Sequence, residues 1–159
     1  CDIFDEWWRS DVGRYFVNIF DATLAAYCGA QPGSCAYAAT CGGNLVVEHN
    51  GDVYPCDHFV YPEYFSGNIG SVHLRQIASS DMQRRFGLNK RNTLPSKFIS
   101  CKYINVCHGE CPKHRFSKTD NGDTGLSALC SGYYMFFEHT APYMLQMRDA
   151  VLYSSDNPA

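Results

Sequence analysis

The chain has no apolar run long enough to cross a bilayer: the longest, Tyr133 to Phe137, is five residues, against the roughly 20 that a membrane helix requires. No membrane span is expected. A large excess of charge is also missing, since 13 Lys and Arg against 16 Asp and Glu leave a net charge of −3. That is too little to pull the whole molecule onto nucleic acid or anionic lipid. There is no initiator methionine and no secretory signal, and a sequence that opens on Cys1 reads as a piece or a processed product of something longer. The cysteine density of secreted disulfide scaffolds is absent too, with nine cysteines, an odd number, in 159 residues. A reducing cytoplasm is therefore the expected compartment, and a disulfide-bonded extracellular domain is a rival reading.

What is present is a crowd of sulfur. Within FISCKYINVCHGECPKHR, residues 98–115, Cys101, Cys107 and Cys111 are separated by five and then three residues, and Pro112 follows the last. Thiolates crowded this closely normally share a metal, which offsets their repulsion and fixes loops too polar to hold themselves. Cys-Pro also closes bacterial ferredoxin motifs, there with shorter spacings. Cys35 and Cys41, five residues apart and followed by Gly42-Gly43, sit in a run of small residues, exposed enough to ligate and poorly placed as core. Spacing alone leaves zinc and iron-sulfur both open. Ten of the 13 basic residues lie between Arg75 and Lys118, with only Asp81 and Glu110 against them. This basic middle reads as a solvated face or as support for an anionic cluster, and no nucleic-acid motif accompanies it.

The remainder reads as one α+β domain, long enough to bury a core. Val12, Phe16, Ile19, Phe20 and Leu24 repeat at helical steps, predicting a helix with Ser10 as N-cap and Gly29 as its stop. Trp7 and Trp8 are read as core or interface anchors, and Cys28 as a small buried hydrophobe; neither Cys28 nor Cys1 is counted as a ligand. Asn50-Gly51 between Leu45–His49 and Asp52–Cys56 predicts a hairpin with a two-residue type I′ turn. Its second strand carries Cys56, with Asp57 and His58 beside it, and Pro55 ends the ladder. A short strand is expected at 67–70, helices at 74–78 and from 80 or 81 to about 88, and a flexible connector at 89–96. A surface loop is expected at 117–125, and a C-terminal helix from about 126 that breaks at Pro142. Its Met and aromatic stripe is read as core, and residues 154–159 as frayed.

Taken together, Cys41, nine residues, Gly51, four residues, Cys56, a gap, Cys101, five residues, Cys107, three residues, Cys111, a gap and Cys130 resembles the SPASM domain, the C-terminal extension of many radical S-adenosylmethionine enzymes. GDVYPCDHFVYPEY, CHGECPKHRF and CSGYYMFFEHTAPYM resemble one branch, the anaerobic sulfatase-maturating enzymes, and the likeness covers nearly the whole chain. It implies a small cysteine-rich fold of a β-hairpin, long loops and flanking helices organised around metal clusters. Two auxiliary [4Fe-4S] clusters are implied, the first on Cys35, Cys41, Cys56 and Cys111, the second on Cys101, Cys107 and Cys130. The family's eighth ligand, the first cysteine of a C-x2-C pair ending at Cys101, is Phe98 here, and a phenyl ring cannot ligate iron.

The reaction that this resemblance implies oxidises a cysteine or serine of a sulfatase polypeptide to Cα-formylglycine. A 5′-deoxyadenosyl radical takes a hydrogen, Asp57 corresponds to the base, and an electron leaves toward the clusters, with a reductant protein serving the full enzyme. His58 is expected to point away or to support a ligand. No C-x3-C-x2-C spacing, which the family uses to bind S-adenosylmethionine, occurs in this sequence. Residues 1–30 are accordingly expected to be a helical linker from an N-terminal radical domain, and 31–159 the auxiliary-cluster domain. A zinc-binding interaction module and a SPASM domain of another peptide-modifying branch are the alternatives.

Overall fold

The computed structural model describes residues 1–156. In chain order the elements are α1 (Asp2–Ser10), α2 (Asn18–Tyr27), β1 (Val46–Val47), β2 (Asp52–Tyr54), β3 (Gly67–Asn68), α3 (Leu74–Ala78), α4 (Asp81–Asn92), α5 (Ser96–Ile99), α6 (Ile104–Cys107), β4 (Ser117–Lys118), β5 (Thr124–Leu126) and α7 (Cys130–Asp156). The sheets are small and antiparallel, β1-β2-β3 and β4-β5, so the α+β class stands. Long stretches between them carry the cysteines.

Several local expectations are corrected. The single helix opened by Ser10 is two helices. Ser10 closes α1 and turns its hydroxyl back to the Glu6 carbonyl at 3.4 Å. Gly13 at φ +77° then breaks the path, leaving Val12 and Phe16 exposed in the connection. Gly29 at φ +71° does end α2. The hairpin is present, with Val46 opposite Tyr54 and Val47 opposite Val53, but its turn is a three-residue loop. Gly51 N–H donates to the Glu48 carbonyl at 2.9 Å and Glu48 N–H to that of Asp52 at 2.8 Å. Only Gly51, at φ +88°, takes the left-handed conformation, as in a type I turn closed by a bulge. Asn50 instead fixes the corner through its side chain, accepting from Asp52 N–H at 3.0 Å.

Helix α4 runs a turn beyond Leu88, with Ser80 Oγ accepting from Gln83 N–H at 3.2 Å as its N-cap. The connector expected to be flexible is consumed by the end of α4 and by α5, and Pro95 between them is buried. The polar loop at 117–125 folds into β4 and β5. Helix α7 passes through Pro142 without a break; Pro142 is exposed, so water can satisfy the carbonyl that its missing N–H leaves. Ser154 to Asp156 continue α7, and the fraying expected of 157–159 lies outside the described residues.

The core forms where α1 and α2 lie against α7. Phe4, Trp7, Phe20, Met144 and Met147 make one buried cluster, with Phe4 and Phe20 edge to face at 5.1 Å. Ala22, Tyr37, Tyr103, Val106 and Phe137 make a second, between α2, α6 and α7. Each large apolar side chain so buried contributes roughly 1.5–3 kcal/mol. The Met and aromatic stripe of α7 is thus core, and Trp7 is an anchor. Residues 1–30 complete this core through α1 and α2.

Candidate metal centre

Helix α4 is the pillar of the site. Gln83, Gly87 and Lys90 are spaced four and three apart, so they share a face, and all three are buried. Gln83 Nε2 donates to the Gly42 carbonyl at 2.6 Å and to that of Pro55 at 3.3 Å, pinning the residues next to Cys41 and Cys56. Cys41 N–H donates to the Gly87 carbonyl at 3.2 Å, an approach that only glycine permits, because a Cβ at Gly87 would stand 2.3 Å from the Cys41 carbonyl oxygen. Lys90 Nζ donates to the carbonyls of Cys35 and Ala36 at 2.7 and 2.8 Å. The Lys90 carbonyl accepts from Arg115 Nη1 at 2.6 Å. Arg115 spends three further N–H groups on the carbonyls of His108, Gly109 and Glu110 at 2.9, 2.8 and 3.0 Å, in the turn that delivers Cys111.

The sequence-predicted cysteines fall into two groups by the charges they exert. Cys41 feels Cys111 and Cys35, Cys111 feels Cys35, and Cys56 feels Cys111. Separately, Cys107 feels Cys130 and Cys101, and Cys130 feels Cys101. Cys101, Cys107 and Cys130 line one pocket with Tyr103, Tyr133 and Phe137. Phe98, 4% exposed, lines it as well, so its ring occupies this group's surroundings. Cys1 and Cys28 belong to neither set. Cys28 is the half-buried C-cap of α2.

Burial dominates the electrostatics. It pushes Cys56 and Cys107 up to about 11 and raises Cys41, Cys111 and Cys130. These thiols are neutral until something positive replaces their protons. Burial pushes Lys90 and Arg115 down; on Lys90 the sulfurs of Cys41, Cys35 and Cys111 would oppose it once ionised, and on Arg115 Cys107 and the Glu110 carboxylate oppose it first. Neither cation pairs with a carboxylate among the described residues; both donate only to backbone carbonyls. The buried Glu110 carboxylate is taken up by His114 Nδ1 at 2.8 Å. Lys90, buried without a carboxylate near the sulfurs of Cys41, Cys35 and Cys111, suits an anionic group, such as a cluster held by four thiolates.

Asp57 and His58 follow Cys56 in a short 3-10 turn. Asp57 is exposed and accepts from the Cys56 thiol at 3.2 Å. That hydrogen bond holds its carboxyl below the usual range, where partial burial would have raised it; ligation of Cys56 would remove the thiol proton responsible. His58 supports the sulfurs: its N–H meets Cys56 Sγ at 3.4 Å, and its Nδ1 lies 3.6 Å from Cys111 Sγ. Cys56, Asp57 and His58 place one donor atom each within 4.8 Å of one another, whereas among the described residues no three cysteine sulfurs do. A single zinc ion with Zn–S of about 2.3 Å would need its sulfurs about 3.8 Å apart. The cysteines are therefore not drawn together around a single ion; a multi-metal core, which takes each thiolate on its own iron, asks for wider spacing than zinc does.

Sequence reasoning missed Gln83, Gly87, Lys90 and Arg115. The available signal was a glycine and a lysine three apart in the interior of a helix.

Residues 35–112 match the family model of SPASM, an iron-sulfur cluster-binding domain. The chain is 51% identical over 152 residues to a serine-type anaerobic sulfatase-maturating enzyme of Bacteroides thetaiotaomicron, covering 96% of this chain and 37% of that protein. It is 28% identical to a cysteine-type anaerobic sulfatase-maturating enzyme of Clostridium perfringens, covering 94% of this chain and 40% of that protein. Among solved structures it superposes on native anSMEcpe with bound AdoMet and Kp18Cys peptide at a TM-score of 0.81 and 27% identity, covering 94% of this chain and 41% of that one. The chain thus spans well under half the length of the relatives it matches.

Proposed function

We propose, from the match of residues 35–112 to the SPASM iron-sulfur cluster-binding family, that this chain is the auxiliary-cluster part of an anaerobic sulfatase-maturating enzyme. Cys35, Cys41, Cys56 and Cys111 would hold one [4Fe-4S] cluster. Cys101, Cys107 and Cys130 would hold the second through three thiolates only, Phe98 standing where the fourth would come. The observation that carries this reading is the convergence on α4 of four cysteines from distant parts of the chain, beside the buried Lys90, which pairs with no carboxylate among the described residues. Such clusters supply a one-electron sink whose potential the surrounding protein sets. S-adenosylmethionine, bound outside this segment, would supply the radical.

The chain's own residues do the rest. The Cys56 strand end fixes Asp57 at the rim of the first site, exposed and ionised, where it can take the hydroxyl or thiol proton of a bound sulfatase peptide. His58 and the Gln83 clamp hold that strand end in place. A reductant protein would serve the complete enzyme.

Iron and sulfide quantitation after anaerobic reconstitution of this chain tests the reading. About eight irons mean two full clusters, about seven a three-iron second centre, and about four the first centre alone. No iron, or a colourless protein with one zinc at Cys56, Asp57 and His58, would replace it with the zinc-module reading.

A further inference from the structure

Lys90 is 1% exposed. Two of the three N–H groups of its ammonium are fixed on the carbonyls of Cys35 and Ala36, and no carboxylate pairs with it among the described residues. An ammonium held this deep without a counter-charge is costly, and a neutral side chain able to donate to the same two carbonyls would do the structural work alone. Glutamine has such a group. The negative charge that reaches Lys90 comes from Cys41, Cys35 and Cys111, three of the four sulfurs of the first centre. Arg115, the other cation nearby, is anchored in the 108–110 turn by three of its hydrogen bonds and reaches α4 only through the Lys90 carbonyl.

We propose that Lys90 is a positioning residue that sets the reduction potential of the first centre. It ties the Cys35 loop to α4 through two carbonyls and keeps a positive charge near the sulfurs. This rests on the cluster reading above. A fixed cation in a poorly solvated site favours the more negative, reduced state of the centre over the oxidised one. Removing it should lower the ratio of reduced to oxidised centre at a fixed potential by on the order of tenfold, about 59 mV for one electron.

The test is an EPR-monitored redox titration of the anaerobically reconstituted chain as wild type, Lys90→Gln and Lys90→Arg, with iron content measured in each. Lys90→Gln is expected to keep its iron and to titrate at lower potential in one centre only, and Lys90→Arg to stay near wild type. A wild-type chain that takes up no iron would end the cluster reading itself. Iron-loaded Lys90→Gln at the wild-type potential would overturn this inference alone. If Lys90→Gln fails to load, loading of Lys90→Arg supports the need for charge, and failure of both assigns Lys90 to shape alone and overturns it.

Discussion

Replacing Gly87 by alanine isolates the contact on which the first centre is built. In an exposed helix this change is favourable by roughly 0.5–1 kcal/mol, because glycine loses more backbone entropy on folding. Here the new Cβ would meet the Cys41 carbonyl oxygen at 2.3 Å and its carbon at 3.3 Å. The obstacle is backbone and cannot swing aside. About 1 Å of retreat is needed to reach van der Waals contact. That retreat stretches the 3.2 Å bond from Cys41 N–H to Gly87 and the 2.6 Å bond from Gln83 to Gly42. Overpacking of about 1–3 kcal/mol and one weakened hydrogen bond of about 1 kcal/mol, less the helix gain, leave a net loss of about 1–3 kcal/mol. Urea unfolding of the metal-free chain measures it. Iron content after reconstitution should fall as well, with Cys41 displaced. Gly132, in α7 with nothing within 4 Å of its would-be Cβ, is the control, and alanine there should stabilise by about 0.5–1 kcal/mol. If Gly87→Ala behaves like Gly132→Ala, the proposed packing of α4 on the Cys41 loop is refuted.

Phe98→Cys should restore a fourth thiolate to the group of Cys101, Cys107 and Cys130. The metal-free chain should lose about 2–4 kcal/mol to the cavity, yet reconstituted iron should rise toward eight per chain, and any three-iron EPR signal after oxidation should disappear; an unchanged spectrum would show that Phe98 does not face the metal. In the complete enzyme, Asp57→Asn should leave S-adenosylmethionine cleavage nearly intact while suppressing formylglycine formation by about 10²-fold or more. Equal loss of both activities would count against Asp57 as base. Arg115→Lys keeps the charge but not the fork. With buried carbonyls left unpaired, stability should fall by about 2–4 kcal/mol and iron should be lost from both centres, whereas loss from one alone would contradict the bracing role of Arg115.

The crowding of the cysteines was legible because their spacing is a local, countable signal, and the hairpin because Asn50-Gly51 marks a corner whatever the exact turn. The turn type was misjudged for a reason of register. Glu48 and Asp52 still pair, so three residues rather than two cross over, and asparagine needs no positive φ when its side chain closes the corner. Pro142 was overweighted: burial of Met144 and Met147 on one side of α7 outweighs one missing N–H on the solvent side. The pillar was not legible. Gln83, Gly87 and Lys90 look in the sequence like part of a polar, weakly amphipathic helix, and their meaning depends on loops from 35–42 and 55 arriving at the same face. Such long-range partners leave no periodicity behind.

The turn between Cys107 and Cys111 explains how two sulfurs four residues apart serve different groups. Continued helix would have placed them on the same face. Instead α6 ends at Cys107, and His108, Gly109 and Glu110 follow at φ 48°, 71° and 58°. Three left-handed residues in succession, two of them not glycine, cost about 1–2 kcal/mol for each side chain that must accept the conformation. The turn survives because Arg115 donates to the carbonyl of each of these three residues and carries the brace across to Lys90. A side chain at Gly109 would press on the same brace, since its Cβ would lie 2.8 Å from Arg115 Nη2 and 2.4 Å from the Leu94 side chain. Strain in the backbone and a half-buried guanidinium are therefore two halves of one device: the first takes Cys111 off the helical path that ends at Cys107, and the second makes the position of each depend on the other.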